Sequence, residues 1–116
     1  MTPKTYKATV TLTAEDVVSL FISACEGGSN YWCQSIIPKD APKQPGAYEA
    51  MLEGFTVVNG EAQKTVKVTP AMIKKGLELW PNVEPLSFAD FLTGDWDAET
   101  ADIFLQLCTF GEVVYG

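Results

Sequence analysis

Two stretches of this 116-residue chain carry residue types that do chemistry. The first is a run of carboxylates, Glu84, Asp90, Asp95, Asp97, Glu99 and Asp102. Paired carboxylates cleave glycosidic bonds, one protonating the leaving oxygen while another serves as base or nucleophile. Alternating acids also open an EF-hand calcium loop, as Asp95-Trp96-Asp97-Ala98-Glu99 does, but that loop needs Gly at its sixth place and Glu at its twelfth, where Gln106 stands. The second stretch is Glu26-Gly27-Gly28-Ser29-Asn30-Tyr31-Trp32-Cys33. A double glycine lets backbone N–H groups point at an anion or lets two segments approach closely, and the Tyr31 and Trp32 rings can stack on a base. As a phosphate loop it lacks the Lys-Ser/Thr ending and follows a helix instead of preceding one. Its plainer reading is a helix end followed by two core aromatics.

The remaining composition narrows the chemistry. The chain has no His and no Arg, so a Ser/His/Asp triad, a Cys/His pair, an imidazole metal ligand and a guanidinium clamp on phosphate are all absent from its alphabet. No metal or cofactor is expected, and no spacing among the remaining carboxylates, lysines, tyrosines and Cys33 marks an enzyme. Cys25, Cys33 and Cys108 form neither a C-x-x-C pair nor an even set, and read as reduced core residues. The formal charge of −7 is unevenly placed: all eight lysines lie before residue 76, and eight acids with no base follow it. Such a segment repels nucleic acid and attracts basic protein surfaces. The alternative is that these acids cap helix starts and keep a small domain in solution.

The elements that must position these residues follow from periodicity. Thr5–Leu12 alternates like a half-buried strand. Thr13 followed by Ala14-Glu15-Asp16 starts a helix whose stripe is Val17, Leu20, Phe21, Ala24 and Cys25, with Gly27-Gly28 as a left-handed stop. Tyr31–Ile37 reads as a short strand, and Pro38, Pro42, Pro45 and Gly46 as an extended loop. Tyr48–Glu53 fits a helical turn or a strand start. Phe55–Val58 and Lys64–Val68 form a hairpin with a wide or bulged turn. Thr69-Pro70 starts a second helix with Met72, Ile73, Leu77, Leu79 and Trp80 on one side, weakened slightly by Gly76. Pro81 and Pro85 bound a connection, Phe88–Leu92 forms one turn closed at Gly94, and Asp97 caps a last helix over Ala98–Thr109 that ends at Gly111. On that helix Glu99, Asp102 and Gln106 make one polar stripe. Glu112–Tyr115 is short enough for an edge strand. The expected fold is a single α+β domain spanning 1–116, with four or five short strands in a mixed or antiparallel sheet and three helices.

Two segments together, Glu26-Gly-Gly-Ser-Asn-Tyr-Trp32 and Asp97-Ala-Glu-Thr-Ala-Asp-Ile-Phe-Leu-Gln106 with Phe110-Gly-Glu-Val-Val-Tyr-Gly116, resemble a family of small bacteriophage proteins. The likeness runs from Leu12-Thr13 to the C-terminal Tyr-Gly. It implies a context and no activity: a protein made in an infected bacterium, with Gly27, Gly28, Tyr31, Trp32, Asp97, Asp102, Gln106 and Gly111 belonging to the family's pattern.

Charge, size and resemblance point to a non-enzymatic protein that binds and inhibits a host nucleic-acid-handling or defence complex, as an anti-CRISPR does. Its acidic third, Glu84, Asp90, Asp95, Asp97, Glu99 and Asp102, would imitate phosphates against a basic host surface. A second reading is a sponge that sequesters a nucleotide signal between Gly27, Gly28, Ser29, Tyr31 and Trp32, helped by Lys74 or Lys75. A third is an accessory or structural phage protein that oligomerises through exposed Trp80, Trp96 and Phe110. A polar N-terminus and the lack of an 18-residue apolar run suggest a cytoplasmic protein with no membrane contact.

Overall fold

The computed structural model describes residues 9–39 and 48–116. Helix α1 (Ala14–Ser23) begins as its sequence dictates, with Thr13 Oγ1 accepting from Asp16 N at 3.1 Å and Asp16 Oδ2 accepting from Thr13 N at 2.9 Å. Upstream, Thr9–Leu12 has no regular structure, and residues 5–8 of the expected first strand lie outside the described residues. The helix does not stop at a left-handed glycine. It widens into a π turn (Ala24–Gly28) in which Gly27 is extended, at φ 165°.

Three strands form one antiparallel sheet in the order β1 (Cys33–Pro38), β2 (Phe55–Asn59), β3 (Lys64–Val68). Pro38 closes β1 opposite Phe55, and the rest of the expected proline loop lies outside the described residues. A 3-10 turn (Tyr48–Glu53) precedes β2, resolving the helix-or-strand ambiguity there. The hairpin turn, 60–63, is wide because Asn59 Oδ1 accepts from the N–H groups of both Glu61 and Ala62. Along β2, Phe55, Val57 and Asn59 are buried and Thr56 and Val58 half-buried, so one sheet face meets the core.

Helix α2 (Pro70–Val83) starts at Thr69, whose hydroxyl accepts from Met72 N at 3.2 Å. It runs through Pro81 instead of ending there. In a last turn the proline forfeits one N–H bond, and Trp80, fully buried, anchors the turn. Helix α3 (Pro85–Thr93) is longer than the single expected turn, with Pro85 at its first position and Gly94 left-handed at φ 81°. Helix α4 (Ala98–Phe110) has Asp97 as its cap and Gly111 at φ 73° as its stop.

α4 is the centre of the molecule, in contact with α1, the π turn, α2, α3 and β3. Phe104 links the layers, its ring centroid 5.6 Å from Phe21 and 5.2 Å from Trp80, while Phe21 meets Phe55 of β2 edge-on at 5.3 Å. Gly76 is where α2 crosses α4: a Cβ there would lie 2.8 Å from Cys108 Sγ and 2.9 Å from its nitrogen. The helical weakness of Gly76 is the condition for that close crossing. Glu112–Tyr115 is not a strand. Among the described residues the sheet therefore has three strands instead of the expected four or five, and four α-helices instead of three, with a π turn and a 3-10 turn, pack around it.

Candidate functional site

Thr100 to Thr109 is buried almost all round on α4, so of the expected polar stripe Glu99 alone reaches water while Asp102 and Gln106 do not. Asp102, 4% exposed, instead forms the hub of a buried network. Its Oδ1 accepts from Ser29 Oγ at 2.7 Å and from Trp32 Nε1 at 2.7 Å, and its Oδ2 accepts from Gln106 Nε2 at 3.0 Å and from the Tyr31 hydroxyl. A carboxylate offers about four lone-pair sites, so Asp102 is saturated from within. Gly28 makes the geometry possible, because any Cβ there would collide with the Ala98 carbonyl oxygen at the start of α4. The glycine turn thereby lies against the helix and delivers Ser29, Tyr31 and Trp32 to the carboxylate.

Gln106 extends the network to the C-terminal tail. Its Oε1 accepts from Val114 N and Tyr115 N, both at 2.8 Å, and its Nε2 also donates to the Tyr115 carbonyl at 3.0 Å. One side-chain amide supplies the pairing a neighbouring strand would give, which explains why the tail is held without being β. Tyr115 stacks on Trp32 at 5.6 Å, Phe110 packs on the same indole at 5.2 Å, and Asn59 Nδ2 donates to the Tyr115 hydroxyl at 3.0 Å. Among the described residues, every buried polar side-chain atom has a partner.

Comparison with known protein families, with curated proteins and with solved structures finds no match.

Beside the network lies an open groove of about 610 Å³, walled by the Gly27-Gly28 turn, Tyr31, Glu84, Glu99 and Tyr115. Asp102 is one of its lining residues, and among the described residues no lysine lines it. Tyr31 is half exposed, and partial burial together with its bond to Asp102 pushes its phenol up to about 12. It is a neutral donor at physiological pH.

The expected partner-binding acids divide. Asp90, Asp95, Asp97 and Glu99 are exposed and Glu84 is half-buried at the groove, with Asp97 also accepting from Thr100 N at 3.2 Å. Asp102 is not among them, because its oxygens are spent inside. The expected ligand-binding set also divides. Ser29 and Trp32 are buried with their donors used, and Trp32 has its ring covered by Phe110 and Tyr115. Only Gly27, Gly28 and Tyr31 reach the groove, and Lys74 and Lys75 do not line it. Trp80 is fully buried and Trp96 and Phe110 are half-buried, so none is an exposed oligomer contact. Asn59 and Tyr115 are network members that sequence reasoning missed, since neither carries a spacing that singles it out.

The thiols are inert by the same physics. Burial raises Cys25 to about 12 and Cys33 to about 11, and drives Cys108 higher still, so none is a thiolate nucleophile. Among the described residues there is no cluster of three His, Cys, Asp or Glu side chains able to hold a metal ion, and no helix long and apolar enough to cross a membrane.

Proposed function

We propose that this chain is a non-enzymatic phage protein that binds and inhibits a nucleic-acid-handling or defence complex in the cytoplasm of an infected bacterium, in the manner of an anti-CRISPR. The observation that carries the reading is the set Glu84, Asp90, Asp95, Asp97 and Glu99, which reaches solvent in a segment with no cation from residue 76 onward. These carboxylates imitate the phosphates that a basic surface is built to hold, and direct contact with nucleic acid is disfavoured by the same charge. Against the nucleotide sponge stand the covered Trp32 ring and a groove that, among the described residues, offers carboxylates and no lysine.

The test is a pull-down from bacterial lysate at low and high salt, using the native chain and a variant carrying Asp90→Asn, Asp95→Asn and Asp97→Asn. Asn still caps a helix, so the last substitution leaves α4 in place. A nuclease or defence protein captured in stoichiometric amount at low salt, and released at high salt and by the variant, is the expected result. Exposed charges are screened beyond about 8 Å at physiological ionic strength, so salt must weaken the contact steeply. Capture that survives both overturns the reading.

A further inference from the structure

The groove and its rim have a character of their own. Tyr31, one wall, is 50% exposed; Glu84, another, is flanked in the chain by Val83 at 43% and, across Pro85, by Leu86 at 81%. Val83 and Leu86 are ordinary isolated apolar side chains, whereas Tyr31 belongs to a groove of about 610 Å³ that also holds Tyr115, Ile103 and Val113, a concave surface of the kind that takes a ligand group. Charge selects the occupant. Glu84, Glu99 and Asp102 line the groove together with Tyr31 and Tyr115, and among the described residues no lysine lines it. Carboxylates beside aromatic faces suit a desolvated ammonium or guanidinium group and repel phosphate.

We infer that this groove is the docking site for one cationic side chain, arginine or lysine, of a partner protein segment, with apolar neighbours of that side chain resting on the Tyr31 edge of the groove. The inference rests on the protein-binding reading above and gives it a centre. The acids at 90, 95 and 97 steer the approach, and the groove holds the anchor. The Asp102 network serves it indirectly, by fixing the Tyr31 hydroxyl and, through Gln106, the Tyr115 wall.

The test is an NMR titration of the isotope-labelled chain with the peptide acetyl-Leu-Arg-Leu-amide, against the same peptide carrying neutral citrulline in place of arginine. Saturable shifts confined to the amides of Gly27, Gly28, Tyr31, Glu99 and the tail are expected, with citrulline at least about tenfold weaker. Glu84→Gln with Glu99→Gln should weaken the arginine peptide by a similar factor, and Asp90→Asn with Asp95→Asn hardly at all. The spectra themselves report whether each variant is folded. Equal binding of the citrulline peptide, shifts spread over the surface, or no shifts overturn the inference. A groove that binds arginine while the pull-down fails overturns only the phosphate-mimic reading; the reverse result overturns only the groove.

Discussion

Two tryptophans of this chain are buried in full, and both must satisfy an indole N–H, yet they do so in opposite ways. Trp80 donates to Ser87 Oγ at 2.8 Å, seven residues away, and the hydroxyl passes a bond to the Glu84 carbonyl at 3.0 Å. Trp32 donates to a carboxylate 70 residues away that also gathers a serine, a tyrosine and a glutamine. Satisfying an indole does not need a charge, as the Trp80 corner demonstrates, and dehydrating a carboxylate costs several kcal/mol before its bonds are counted. The difference teaches what the Trp32 corner is for: it ties a glycine turn, the middle of α4 and the C-terminal tail into one unit, and those three pieces are the walls of the groove.

The strongest way to break this comparison is to remove the hub. Asp102→Ala leaves donors of Ser29, Tyr31, Trp32 and Gln106 without their acceptor, and stability should fall by about 3 kcal/mol or more in urea unfolding. Asp102→Asn keeps one acceptor oxygen but turns an amide against two donors, so it should fall between Ala and the native chain. If Asp102→Ala cost no more than Ser87→Ala, the two corners would be energetically alike. Gln106→Leu comes next. It should cost about 2 kcal/mol, and its signature is local: the Val114 and Tyr115 amides should lose hydrogen-exchange protection while those of α2 keep theirs.

Half of this arrangement was legible in the sequence. Capping residues at Thr13, Thr69 and Asp97 and the left-handed glycines at 94 and 111 set the helix ends, because cap chemistry is local. The hairpin was legible for the same reason. Asp102 was misplaced because a wheel shows where polar residues cluster and not what they face. One signal was present: Ala101, Phe104, Leu105, Leu107 and Cys108 wrap most of α4, and a helix apolar nearly all round is central, so its polar stripe must point at other protein. The tail is not the edge strand its shortness allows, because length is silent on what pairs with the backbone. That partner is a side chain eight to nine residues back on a helix, beyond the reach of any strand rule.

Smaller substitutions sharpen the contrast. Ser87→Ala leaves one buried indole N–H unpaired and should cost about 1–2 kcal/mol, with Trp80 fluorescence changed and the tail amides untouched. Gly76→Ala tests the crossing that holds α4 in place. Its Cβ meets backbone atoms of Cys108 at 2.9–3.0 Å, so the helices must separate slightly, at a cost of about 1–3 kcal/mol despite the better helix propensity of alanine.

The smallest effect is a titration, and it distinguishes the open side of the Trp32 corner from its buried side. The Tyr31 phenol is held at about 12 against an ordinary 10, mainly by burial and then by its bond to Asp102, so between those values the native chain keeps a proton that the unfolded chain has released. The Tyr31 contribution to stability is therefore whole below pH 10 and is lost as pH rises toward 12, while those of Cys25 and Cys33 begin to be lost near pH 9. Cys25 and Cys33, raised from 9.0 to about 12 and 11, add to the same alkaline decline, and Tyr48, raised by burial and its bond to Glu26, adds more. The informative quantity is the difference between chains: Tyr31→Phe should flatten the slope above pH 10 and delete a component of the phenolate absorbance near pH 12, and Tyr48→Phe should delete a different one. Because Tyr31 is half exposed, the substitution should change stability little at neutral pH. A large loss there would mean that its hydroxyl holds the glycine turn in place as firmly as Asp102 does, and the division between a structural hub and an accessible groove wall would have to be redrawn.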